Sequence, residues 1–181
     1  CRDMGIKLLP PDVNESDADF TVSGENIRFG LVAIKGIGWG FIEELKAERE
    51  SGGPFRTLDE FCRRMVPRDL NRRAVESLIK AGAFDSLGFK RRALLTASGP
   101  IIDSVTADSR KNIAGQLDLF GMGGDESENE SVRTIPLPDV PEFTRQELMT
   151  MERETTGLYL TGHPMDDYRD RARDVGAVAI G

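Results

Sequence analysis

The sequence predicts a mainly α fold of short helices joined by tight turns, with one mobile loop and a small extended segment, and three observations predict it. Apolar residues recur at helical spacing, as at Val75, Leu78 and Ile79. Two Thr-x-x-Glu pairs, Thr57/Glu60 and Thr144/Glu147, stand where helices would open. Glycines stand where helices would stop, at Gly52–Gly53 and at Gly82.

Taken in order, "LLPPDVNESDADFTV" reads as a proline-punctuated loop leading to a strand candidate at 19–23. "SGEN" supplies a turn, and "IRFGL" is either the returning strand or the start of a short helix. From Trp39 to about Glu50 the pattern is helical, with Phe41, Ile42 and Leu45 on one side. The helix opened by Thr57 carries Leu58, Phe61, Cys62 and Met65 inward, and another runs from about Asn71 to Ala81. Residues 89–98 resume helical character after "AFDSLG", and "PIIDSVTADSRK" predicts a further helix with Pro100 at its first position.

Residues 113–132 predict the mobile loop, because the acidic, glycine-rich "GMGGDESENES" has no large aliphatic residue after Met122 and cannot offset its ordering entropy. "TRQELMTMERE" is helical, "TGLYLTG" is a short apolar strand or extended segment, and "PMDDYRDRARD" predicts a last helix. No repeat of solenoid length is present, only two helix–turn–helix units of similar layout.

Composition narrows the function classes. A hydrophobic content of 39% over 181 residues supports a core. No run approaches a membrane span, and the N-terminal residues lack a signal-peptide pattern. Cys1 and Cys62 are too few for a disulfide framework or a zinc site, which suits a reducing cytoplasm. Both ends read as cuts through a larger protein. The formal charge of −7 is unevenly spread: residues 27–98 carry a net +5, residues 1–26 carry −4, and residues 99–181 carry −8. The middle block is able to meet phosphate although the whole chain is acidic.

The chemistry-bearing turn is "AIKGIGWGF", residues 33–41. Gly36 and Gly38 permit a sharp reversal around Ile37, which would anchor the turn between flanking helices. The backbone N–H groups near Gly36, Gly38 and Gly40 can then approach an anion, with the positive end of the following helix and Lys35 behind them. Such a helix–hairpin–helix unit grips a nucleic-acid backbone without reading bases. On "GIG" alone a plain interhelical turn is the simpler reading. The second unit, "NRRAVESLIKAGAFDSLGFKRRALL", shifts the balance, because Arg72, Arg73, Lys90, Arg91 and Arg92 would add charge where phosphates lie. Its turn lacks the tight Gly-x-Gly form and is the weaker gripper.

No catalytic constellation accompanies these features. Asp166–Asp167 opens a helix and Asp17/Asp19 sits beside a turn, so neither pair reads as a metal site for phosphoryl transfer. His163, the only histidine, precedes Pro164 and has no ligand partner at metal spacing. Trp39 reads as a packing residue at its helix start, with a role near DNA as the alternative.

The stretches "PPDVNESDADF", "IRFGLVAIKGIG", "GGPFRTLDEFCRR", "LNRRAVESLIKAGAFDSLG" and "ERETTGLYLTGHPMDDY", in this order, resemble the C-family polymerases, the α subunits of bacterial replicative DNA polymerase III. Residues 99–114 and 122–141 are generic. The resemblance implies that residues 1–26 end a fingers region and that residues 27–98 form a tandem helix–hairpin–helix module holding double-stranded DNA. It implies that residues 99–141 are a helix and loop, and that residues 142–181 lead toward an OB-fold beyond the chain. The polymerase's catalytic aspartates and their Mg²⁺ would lie upstream of Cys1, leaving this segment without catalytic residues or a cofactor of its own, apart from a monovalent cation that hairpin carbonyls could hold. Other replisome subunits are implied as partners of the parent chain.

The resemblance also gives "GQLDLFG" a role. Gln116, Leu117, Asp118, Leu119 and Phe120 match the pattern by which this family's loop binds the β sliding clamp. Leu119 and Phe120 would fill an apolar pocket, Leu117 a second patch, and the Gln116 amide would be held at the rim. Two or three such side chains at roughly 1.5–3 kcal/mol each, less the ordering cost, imply micromolar-type binding that tethering would strengthen. Three other readings compete: a helix–hairpin–helix repair enzyme such as a glycosylase, a pure interaction module, and a translesion relative of the same polymerases.

Overall fold

Three short strands and five helices, with an apolar core built mainly by the first four helices and the loops between them, make up the residues that the computed structural model describes, 6–68, 70–118 and 135–162, with 111–118 described in backbone alone. Strand β1 (Leu8–Leu9) pairs in parallel with β3 (Asn26–Arg28), Leu8 opposite Ile27. Strand β2 (Thr21–Ser23) runs antiparallel to β3 with Val22 opposite Ile27, giving the order β1-β3-β2. The loop expected at Leu8–Leu9 is therefore a strand. Its partner lies 19 residues away and is joined by no hairpin signal, so local pattern does not show it.

The "PPDVNES" stretch is a self-supporting turn. The Asp12 carboxylate accepts N–H bonds from Asn14 at 2.7 Å and Glu15 at 3.2 Å. The Ser16 hydroxyl accepts from the Asp12 N–H and donates to the Phe29 carbonyl. Asn14 exchanges two bonds with the Phe55 backbone, at 2.9 and 2.7 Å, and Val13 is fully buried with its N–H on the Ala83 carbonyl. This turn is thereby tied to the helices that follow. Gly30 marks the crossing of the two segments: a Cβ there would strike the backbone of Ala18, Asp19 and Phe20.

Helix α1 (Trp39–Gly52) buries Ile42 and Leu45. Helix α2 (Leu58–Met65) buries Leu58, Phe61, Cys62 and Met65, as its pattern predicts. Its Thr57 cap accepts from the Glu60 N–H, but Glu60 reaches back to the Arg56 N–H, one residue before the cap. Helix α3 (Arg72–Ala81) opens on the Asn71 side chain and closes on left-handed Gly82, φ 85°. Phe55, Phe61 and Phe84 stack edge to face at 5.0 Å in the core between them.

Helix α4 (Arg91–Asp118) is continuous through Pro100, where two helices were expected. A proline in a helix removes one backbone bond and crowds the preceding residue. Here the preceding residue is Gly99, which has no Cβ to crowd, and the Arg72 guanidinium lies where that Cβ would be. Burial of Ala97, Ile101 and Val105 on either side holds the helix across the break. The helix also takes in residues 113–118, expected in the mobile loop, while the remainder of that loop and the last expected helix lie outside the described residues. Helix α5 (Arg145–Thr156) has a complete Thr144/Glu147 capping box and packs on α3. The "TGLYLTG" segment follows in an irregular course rather than as a strand.

Candidate nucleic-acid interface

The hairpin over residues 33–41 is built from a short 3-10 turn (Leu31–Ala33), left-handed Gly36 at φ 83°, and buried Ile37, whose N–H bonds the Ile34 carbonyl. Lys35 donates its backbone N–H to the Thr155 carbonyl at 2.8 Å, which ties the hairpin to the end of α5. A Cβ on Gly36 would lie 3.6 Å from the Ser77 hydroxyl, so α3 backs the turn.

Gly38 is the N-cap of α1 and offers no side chain to the first helical N–H groups. The caps of α2, α3 and α5 are Thr57, Asn71 and Thr144, each accepting from its own helix. At α4 the Glu142 carboxylate accepts from the Arg91 and Arg92 N–H groups, at 2.7 and 3.1 Å. Helix α1 thus begins with donors that no side chain caps. Gly36 needs its positive φ, but Gly38 and Gly40 do not. Their backbone is ordinary, and a Cβ on either would meet nothing within 4 Å. Nothing inside the fold calls for glycine at Gly38 or Gly40, whereas a ligand approaching the backbone closely would.

The predicted basic residues divide sharply. Lys35 and Arg73 are exposed and form no ion pair among the described residues. Arg72 is 60% exposed in its side chain and pairs with Glu76 at 3.1 Å. Lys90 pairs with Asp139 at 3.1 Å, and Arg92 lies 4.4 Å over the Phe143 ring with Glu147 3.6 Å away.

Arg91 corrects the expectation outright. It is 2% exposed, and its guanidinium bonds Asp85 at 2.5 and 2.8 Å and Glu152 at 3.0 Å. Gly82 leaves the space that this guanidinium fills. The Arg91 charge of the second unit therefore builds the fold, and the amide end of its helix is filled by Glu142. Partial desolvation opposes ionisation of the exposed Glu142, but bonds from Phe143, Arg92 and Arg91 prevail and hold its carboxyl below the usual glutamate range. Elsewhere in the +5 block, Arg63, Arg64 and Arg68 are likewise paired, with Asp59, Glu48, Glu60 and Glu44.

Asp17 is a structural residue: the Lys46 ammonium beside it and the Ala18 N–H hold its carboxyl low. Among the described residues no three His, Cys, Asp or Glu side chains gather as a metal site, and no helix is long and apolar enough to cross a membrane. Gln116, Leu117 and Asp118 fall in the last turn of α4 by backbone, while their side chains, and all of Leu119 and Phe120, lie outside the described residues, as do His163 and Asp166–Asp167.

Sequence patterning missed two residues that organise this region. Glu152 is fully buried, and its second oxygen accepts from the Leu160 and Thr161 N–H groups at 2.9 Å. Glu142 sits 51 residues from the helix end that it caps. Neither carries a local signal, since the Arg91 partner of Glu152 lies 61 residues away and the helix end under Glu142 lies 51 away.

Residues 5–94 match the family model described as a helix-hairpin-helix motif. The chain is 40% identical over 182 residues to DNA polymerase III subunit alpha of Escherichia coli (strain K12), covering 99% of the chain and 15% of that protein. It is 41% identical over 170 residues to the same subunit of Saccharopolyspora erythraea, covering 92% and 14%. Over its length this chain is homologous to a segment of DNA polymerase III subunit alpha. The subunit of Chlamydia pneumoniae, 36% identical over 180 residues, is matched across 99% of the chain and 14% of its own length. The chain thus spans about one seventh of the curated relatives that it matches.

Proposed function

We propose that this chain is the DNA-holding and clamp-tethering segment of a bacterial replicative polymerase, working in the cytoplasm and without catalytic residues of its own. The observation that supports this most directly is the hairpin. Glycine stands at 38 and 40 where the fold does not need it, beside uncapped N–H groups and an exposed Lys35. A phosphate of duplex DNA would accept from those amides, with Lys35 neutralising its charge. The grip is one-sided, because the second unit's helix end holds Glu142. In the parent polymerase, Mg²⁺ would belong to catalytic carboxylates outside this segment.

The second contact is the peptide Gln116-Leu117-Asp118-Leu119-Phe120, read as a ligand of the β sliding clamp. Its first three residues close the long helix α4 by backbone. A replicative role is favoured over a translesion relative by this full pentapeptide. A repair-enzyme reading would need a pocket with a catalytic acid or lysine after the hairpin, and the likeness to the polymerase subunit outside the hairpin leaves it little room.

Titration calorimetry against the cognate clamp, with a Gln116→Ala, Phe120→Ala double variant, tests the tether. Saturable binding that the variant abolishes is expected, and equal binding by the variant refutes the assignment. For DNA, the logarithm of affinity should fall linearly with the logarithm of salt, by about 0.9 per phosphate neutralised. Substituting Lys35 with Ala should lower that slope by about one. A slope near zero refutes the grip.

A further inference from the structure

Trp39 is the only tryptophan of the chain and is 53% exposed. It occupies the first position of α1, directly after the Gly38 cap and before Gly40. Cα–Cβ bonds of a helix tilt toward its N-terminus, so a first-turn side chain leans past the helix end, toward whatever rests on the free N–H groups. An indole that found its partners at home would be largely covered, since tryptophan is highly buried on average. The core of this fold forms without it: Ile37, Ile42 and Leu45 supply the apolar face of the hairpin and helix. The result is a large flat apolar group with one N–H donor, set at the rim of an anion-binding turn.

We infer that Trp39 is a DNA-contacting residue, whose indole packs on the deoxyribose edge of duplex DNA beside the phosphate held by the hairpin. This inference rests on the proposed grip and goes beyond it. The amides and Lys35 need only a phosphate, whereas an apolar plate at the same rim needs a ligand that presents an anion and an apolar face together. A nucleotide unit does so. The indole adds contact area without adding charge, so it strengthens binding and leaves the salt slope as it is.

The test uses the single indole as its own reporter. An unlabelled short duplex is titrated into the chain at low salt while tryptophan emission and its quenching by acrylamide are followed. Anisotropy of a labelled copy of the same duplex measures binding independently. Emission should change saturably with the midpoint found by anisotropy, and bound DNA should shield the indole from acrylamide. Replacing Trp39 with Ala should weaken binding roughly fivefold to tenfold with an unchanged salt slope, and Trp39→Phe should restore part of the loss. The Lys35→Ala variant should instead lower the slope. Binding by anisotropy with silent emission, an unshielded indole and an unaffected Trp39→Ala variant overturns the role of Trp39 and leaves the grip standing. Absence of duplex binding by the intact chain overturns both. Tighter binding of a single strand than of the duplex, lost in Trp39→Ala, overturns the deoxyribose assignment in favour of stacking on unpaired bases.

Discussion

Replacing Glu152 with Gln isolates the least replaceable polar contact of the fold. Glu152 is fully buried and faces two sets of donors: the Arg91 guanidinium at 3.0 Å on one oxygen, and the Leu160 and Thr161 N–H groups and Thr161 hydroxyl on the other, at 2.9 to 3.2 Å. Glutamine keeps the shape but must turn its NH₂ toward one of these sets, so donor meets donor in either orientation. Each buried donor left unpaired costs about 1–3 kcal/mol, and stripping one partner from a buried ion pair costs about 3–5 kcal/mol. Asp85 remains beside Arg91 at 2.5 Å and is partly solvated, which places the expected loss near the lower end, about 3 kcal/mol. For a domain with a urea slope of about 2 kcal/mol/M this is a midpoint shift of about 1.5 M, a large part of a stability of about 5–15 kcal/mol. Urea unfolding followed by far-ultraviolet dichroism is the assay. An Arg91→Met, Glu152→Gln pair should recover part of the loss, because the glutamine oxygen still accepts from the Leu160 and Thr161 N–H groups and no guanidinium faces its NH₂. A midpoint shift under about 0.5 M for Glu152→Gln, or a double variant no better than the single one, refutes the reasoning.

Further outcomes follow from the same geometry. Gly30→Ala forces a Cβ into the Ala18–Phe20 backbone and should cost about 2 kcal/mol or more, read as a lower urea midpoint. Cys62 is buried and its thiol is pushed up to about 12 by desolvation, so in a Cys1→Ser background it should resist a thiol reagent at about pH 8 until the chain unfolds. Glu142→Gln should destabilise by about 1 kcal/mol or less near neutrality, because water competes at this exposed carboxylate. Since the folded state holds Glu142 below its ordinary 4.5, its contribution is present above that value and is lost as pH falls through the lower folded one. The gap between wild type and variant should therefore close on acidification, and a gap that widens contradicts the assignment of Glu142 as the anionic cap of α4.

Local pattern was enough for whatever local chemistry dictates. Leu58, Phe61, Cys62 and Met65 repeat at helical spacing because one face of α2 must be buried, and all four are. Asn71 and Gly82 bound α3 because orphan N–H and C=O groups need a side-chain acceptor and a left-handed closure, and each is found in that role. Ile37 between two glycines was legible as a hairpin anchor for the same reason. The sequence by itself thus determined α1, α2, α3 and α5, the hairpin and the likeness to a polymerase subunit. Only the tertiary structure decided which charges face outward. Arg73 and Arg91 look alike in the sequence, yet one is exposed and the other is sealed against Asp85 and Glu152. The same holds for the two helix ends: a carboxylate 51 residues away fills one and leaves the other open. Periodicity reports which face of an element is apolar, but a buried ion pair or a borrowed cap depends on which distant segment packs there, and no local spacing encodes that.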